Sequence, residues 1–124
     1  MNFEFDAEHQ LFRVTLVGRV DSRDCVQLIT GMLAHPEFKP GTPAVWNAQN
    51  ADLSGLKFAD MGQVRVFQEQ HADARGRARI ALVAGNDMSF GVGRMAAQIN
   101  DLPHLEINVF RDLVTAELWA LRKT

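Results

Sequence analysis

Four segments follow one another in the last third of the chain: Ala78-Arg-Ile-Ala-Leu-Val-Ala84, Ser89-Phe-Gly-Val-Gly-Arg-Met95, Ile107-Asn-Val-Phe-Arg-Asp112 and Ala116-Glu-Leu-Trp-Ala-Leu121. The first and third are short β-prone runs, and the second and fourth carry helical spacing, so the order is strand, helix, strand, helix. Two such units in succession require a crossover between strands, which makes the strands parallel and the class α/β.

Working outward, Phe3–Asp6 and Leu11–Gly18 are β-prone runs joined by Ala7-Glu-His-Gln10, a loop length that suits antiparallel neighbours. Asp21 or Ser22 can cap a helix carrying Cys25, Val26, Leu28, Ile29, Met32 and Leu33, which Pro36 stops. A strand is expected from Ala44 to about Ala48, and a helix from Phe58 that ends before Gly76. Ser89 or Asp87 caps the next helix, Glu106–Phe110 is the last strand, and Leu113, Ala116 and Leu121 mark one stripe of the last helix.

Alternation decides how the sheet is covered. Phe12, Val14 and Leu16 oppose Arg13 and Thr15; Ile80, Leu82 and Ala84 oppose Arg79 and Ala81; Ile107 and Val109 oppose Glu106 and Asn108. A sheet covered on both sides would be apolar throughout its strands. The expected fold is an N-terminal β-hairpin feeding a right-handed (β/α) superhelix of about four turns, a mixed, mostly parallel sheet with helices mainly on one face and the other bare. Layers packed against both faces would count against this arrangement.

The 124 residues suit a single domain, 1–124, and 15 acidic against 13 basic side chains give a net charge of −2, which offers no general attraction to nucleic acid or an anionic membrane. The acidic start Met-Asn-Phe-Glu-Phe-Asp does not read as a signal peptide, and no apolar run approaches the ~20 residues of a membrane span. A cytoplasmic location is expected. Cys25 stands alone and reads as a buried, inert thiol.

The order of elements, with His35-Pro-Glu-Phe-Lys-Pro-Gly41, Val45-Trp-Asn47, Ala51-Asp-Leu-Ser54, Phe90-Gly-Val-Gly-Arg-Met95 and Val109-Phe-Arg-Asp112 followed by Ala116 and Trp119, resembles the STAS domain. More closely it resembles the uncharacterised bacterial branch of the SpoIIAA-like superfamily. The resemblance spans most of the chain and implies the fold, with a regulatory module that binds a protein partner. Loss of that resemblance is expected if the sheet carries helices on both faces.

Anti-sigma-factor antagonists of that superfamily are switched by phosphorylation of a serine in an Asp-Ser-Ser-Gly motif at the start of the second helix. Asp52-Leu-Ser-Gly55 matched to it makes Ser54 the acceptor. The second register, which places Asp60-Met-Gly-Gln63 there with Gly62 in the acceptor position, is favoured because helical spacing is clear only from Phe58. Ser54 otherwise reads as a turn residue. The relatives implied by the resemblance carry an aspartate at the position of Asn47.

Gly91-Val-Gly-Arg-Met-Ala96 matches a dinucleotide fingerprint only on paper, because Gly91 follows the strand end after six further residues. No cofactor is therefore assigned. Ligands of parallel sheets collect beyond the C-terminal strand ends, where helix amides point, and there Arg94, Asn47, Asp87 and Asp112 form the candidate ligand or anion site. Arg94 leads, either holding an anion or pairing with Asp87 or Asp112. His9, His35, His71 and His104 lack metal-ligand spacing, and neither Ser54 nor Ser89 lies in a nucleophile elbow, so no catalytic residue is assigned. Arg75, Arg77 and Arg79 read as solvated charges. Trp46 is a candidate interaction anchor if it faces the bare side of the sheet, and a core residue if it does not.

Two functions from different classes follow. The first is a non-enzymatic regulatory or protein-interaction module, with a protein partner or self-association as a homodimer, and no nucleic acid or membrane insertion. The second is a binder of a small anionic or lipid-like ligand at the strand C-terminal ends near Arg94.

Overall fold

The computed structural model describes residues 1–122. Strands β1 (Asn2–Asp6) and β2 (Leu11–Arg19) form the hairpin, followed by α1 (Ser22–Leu33), β3 (Ala44–Asp52), α2 (Phe58–Gln70), the single turn α3 (Ala72–Arg75), β4 (Ala78–Ala84), α4 (Asp87–Ile99), β5 (Leu105–Phe110) and α5 (Leu113–Leu121). The sheet order is β1-β2-β3-β4-β5, antiparallel only between β1 and β2. This is the expected mixed, mostly parallel α/β architecture.

Local chemistry sets the element ends. Asp21 Oδ1 accepts from the Asp24 amide while Asp24 Oδ2 accepts from the Asp21 amide, a reciprocal cap for α1. Asn86, rather than Ser89 or Asp87, caps α4, because its Oδ1 accepts from the Ser89 amide at 2.8 Å. β3 runs on to Asp52, past a register shift opposite Thr15 and Val17 in β2. Gly76, at φ +70°, ends α3, and an added Cβ would stand 2.8 Å from the Gly41 amide nitrogen.

Parallel strands added in one direction with right-handed crossovers put every connecting helix on one face. α1, α2 and α4 obey, over a core that includes Phe12, Val14, Trp46, Ile80 and Leu105. The second face is not bare. α5 lies there, with Ala116 and Ala120 on Val45, Ala81 and Val83. The crossover rule does not reach α5, since it connects to no further strand. Val45, Ala81 and Val83 of β3 and β4 are small enough to let an alanine-faced helix sit close, with Leu11 of β2 and Phe110 of β5 extending the patch.

Two arginines fix α5 in place. Arg13 makes two bonds to the Glu117 carboxylate, at 3.0 and 2.9 Å, and a third to Asp6 at 2.7 Å. Arg79 donates to the Trp119 and Arg122 carbonyls, meets Glu106 at 3.2 Å, and lies over the Trp119 ring. Arg79 is therefore part of the packing rather than a solvated charge. No helix is long and apolar enough to cross a membrane among the described residues.

Candidate functional site

The C-terminal strand ends do not gather the expected residues into one site. Asp87 pairs with Arg111 at 2.8 Å, and the Arg111 guanidinium lies 4.2 Å from the centre of the Phe90 ring. Asp112 caps α5, accepting from the Thr115 amide and hydroxyl, and these bonds hold its carboxyl below the usual range. Asn47 Oδ1 accepts from the Gln49 amide. Asn47 alternates with Trp46 and so belongs to the α5 side of the sheet, whereas Arg94 is on α4 across the sheet from it. Arg94 is exposed, and neither Asp87 nor Asp112 takes it as a partner.

Ser54 is exposed in the turn between β3 and α2, and its amide donates to Asp52 Oδ1 at 2.9 Å. The hydrogen bonds from Ser54 keep the Asp52 carboxyl below its ordinary value. α2 begins at Phe58, with the Lys57 amide donating to Asp60 Oδ2, so Asp60 and not Ser54 marks the helix start. Trp46 is 7% exposed and points into the helix-covered core, which removes it as a surface anchor.

An apolar concavity lies elsewhere. Between the sheet and α1, α2 and α4 is an apolar cavity of about 120 Å³, walled by residues such as Ile29, Val64, Leu82, Val92 and Ile107. Its origin is in the seating of the helices. Gly93 lets α4 settle on the sheet, for a Cβ there would stand 3.1 Å from a Val109 methyl. α2 rests on α1 and α4 and has little purchase on the strands below it. Its inward side offers Met61, Val64 and Gln68, which do not fill the space.

Polar groups interrupt this wall. Trp46 Nε1 and Ser89 Oγ, both in residues lining the cavity, are buried without a hydrogen-bond partner. Gln68 and Asn100, also in the wall and 7% and 5% exposed, meet only at 3.5 Å. Arg75 completes the set. It is 7% exposed, donates to the Thr42 carbonyl at 2.6 Å, and sits 5.6 Å from the centre of the Phe38 ring. Burial alone pulls its guanidinium down to about 10.

Arg75 thus departs from the expectation of a solvated charge. Sequence spacing missed it because the run Arg75-Gly-Arg-Ala-Arg79 turns at Gly76, which leaves Arg77 exposed and Arg75 buried. Cys25 also lines the cavity, and burial pushes its thiol up to about 12, which keeps it protonated and unreactive. Among the described residues no three His, Cys, Asp or Glu side chains are grouped as a metal site requires.

No family model matches the sequence, and no curated protein matches it. Among solved structures, the chain is similar to an uncharacterized protein from the DUF3478 family with a SpoIIAA-like fold from Shewanella loihica PV-4. The TM-score is 0.55 at 18% identity, over 96% of this chain and 90% of that one. The helix on the second face therefore does not dissolve the resemblance. By hairpin, sheet order and crossover helices alike, this chain has the SpoIIAA-like fold.

Proposed function

We propose that this protein is a non-enzymatic binding module that takes a small, largely apolar molecule into the cavity beneath α2. The observation that carries the reading is the pair of buried, unpartnered groups, Trp46 Nε1 and Ser89 Oγ, in a largely apolar wall. Buried polar atoms are nearly always satisfied, and leaving one without a partner costs about 1–3 kcal/mol. An occupant with a hydrogen-bond acceptor relieves that cost. The size is adequate, since an apolar cavity on the order of 150 Å³ takes up benzene.

The strand-end site near Arg94 ranks below the cavity because its acids are already engaged by Arg111 and by the α5 cap. The protein-interaction reading rests on Val114 and Leu118, which α5 turns outward at 71% and 68% exposure, and stands second because nothing indicates what covers them.

Toluene is a suitable probe. Its uptake is expected to shift the Trp46 indole N–H resonance saturably and to raise the melting temperature with the logarithm of its concentration. Val64→Phe, which fills the space from α2, should abolish both responses while the fold persists. A folded protein that shows neither response at saturating toluene overturns the proposal.

A further inference from the structure

The arginines that the fold engages are not all treated alike. Arg13, Arg65, Arg79 and Arg111 each meet a carboxylate, at distances between 2.7 and 3.2 Å. Arg75 is more deeply buried, yet among the described residues no carboxylate lies within salt-bridge distance of it, and a single carbonyl and a ring face are the partners it has. A guanidinium carries five donors, so one bond to Thr42 leaves most of them unused. Nearby, His104 Nε2 is buried without a partner, and burial together with the Arg75 charge lowers the imidazole pKa. The positive charge at this end of the cavity is therefore met by a carbonyl and a ring face and, among the described residues, by no carboxylate.

A buried charge without a counter-ion is costly enough that proteins pair it or expose it. Here the same wall that holds Arg75 also holds Gln68, whose buried amide meets Asn100 Oδ1 only at 3.5 Å, while the Asn100 amide donates to the Ala96 carbonyl at 3.0 Å. A planar anion would engage the guanidinium fork and could take a further bond from an amide N–H. Apart from Trp46, Ser89 and Cys25, the remainder of the wall is hydrocarbon.

Resting on the cavity as a ligand site, we infer that its occupant is an amphiphilic monoanion, with a carboxylate head on Arg75 and an apolar body under α2. The volume of about 120 Å³ limits that body to roughly a single ring or a short branched chain. The head lies toward the N-terminal ends of the strands, since Arg75 immediately precedes β4. This is the opposite edge from that which parallel α/β sheets commonly use.

Three probes of one shape separate the claims: benzoate, benzamide and toluene, titrated against the intact chain by the Trp46 indole N–H shift. Benzoate is expected to bind at least about tenfold more tightly than benzamide, the range of a hydrogen bond to a charged partner. In Arg75→Met the preference should fall to within about twofold while toluene and benzamide bind as before. Arg75→Lys, which keeps the charge and gives up the fork, should retain a reduced preference for benzoate. It supplies the comparison if the methionine variant does not fold. Equal binding of benzoate and benzamide to the wild-type chain, or an unchanged benzoate preference in the folded variants, overturns the anionic head and leaves the cavity reading standing. Failure of all three probes to bind overturns both.

Discussion

The helix-covered face of the sheet has two halves built from the same kinds of residue and packed to different ends. Under α1, Phe12 meets Phe3, Phe5, Phe38 and His35, with ring centres between 5.0 and 6.0 Å apart, and Gly31 is needed because a Cβ would stand 2.8 Å from the Phe3 ring. Under α2, Leu82 and Ile107 remain only partly covered and face open space. The first half is a core that holds the fold. The second is a core with room left in it, and that room is where the unpartnered polar groups collect.

The sharpest test of this contrast is a pair of truncations. Phe12→Ala removes a ring 1% exposed and should cost about 3–5 kcal/mol in urea denaturation. Leu82→Ala deletes a side chain that is only partly covered, so it should cost about 1–2 kcal/mol, below the usual range for a packed leucine. The same variant should admit a larger hydrocarbon than the wild-type chain does. Equal costs for the two substitutions would mean that the halves are equally packed.

Arg94→Ala extends the test to the exposed rim, and its effect on stability should stay within about 0.5 kcal/mol, with toluene uptake unchanged. The smallest effect is expected at the hairpin loop. Asp6 is held well below its ordinary value by His9 and then Arg13, so its contribution is present above the usual carboxylate range and fades as pH falls below it. His9 is raised by Asp6, so its share is complete below the ordinary histidine value and disappears as pH rises through the raised one. The urea midpoint of the wild-type chain should therefore be flat between those limits and decline slightly on each side. His9→Asn should remove the alkaline decline and shrink the acid one, leaving the part of it that Arg13 supplies.

The architecture was legible because it depends on repeating signals. Helical spacing in α1 and α4, Pro36 after α1, and the strand-then-helix order gave the elements and the parallel sheet. The placement of α5 was not legible, because its stripe of Leu113, Ala116 and Leu121 says that it packs but not on which face. The site was legible only as a list of polar residues at strand ends. Asp112 and Asn47 turn out to bond within their own segments, and Asp87 is taken by Arg111 of the neighbouring loop, since short loops need such partners. The cavity leaves no mark in the sequence, since Leu82 and Val64 read as core whether or not the space between them is filled. The burial of Arg75 depends on the turn at Gly76 and on a carbonyl 33 residues away, at Thr42.

The sequential strand order has a consequence for how the chain is made. Every strand pairs with a chain neighbour, so none must wait for a partner emerging much later from the ribosome, and the ribbon can grow in the direction of synthesis. The rear surface of Val45, Ala81 and Val83 is the exception. It stays uncovered until α5 is released, which makes α5 the element that closes this surface against aggregation in the nascent chain.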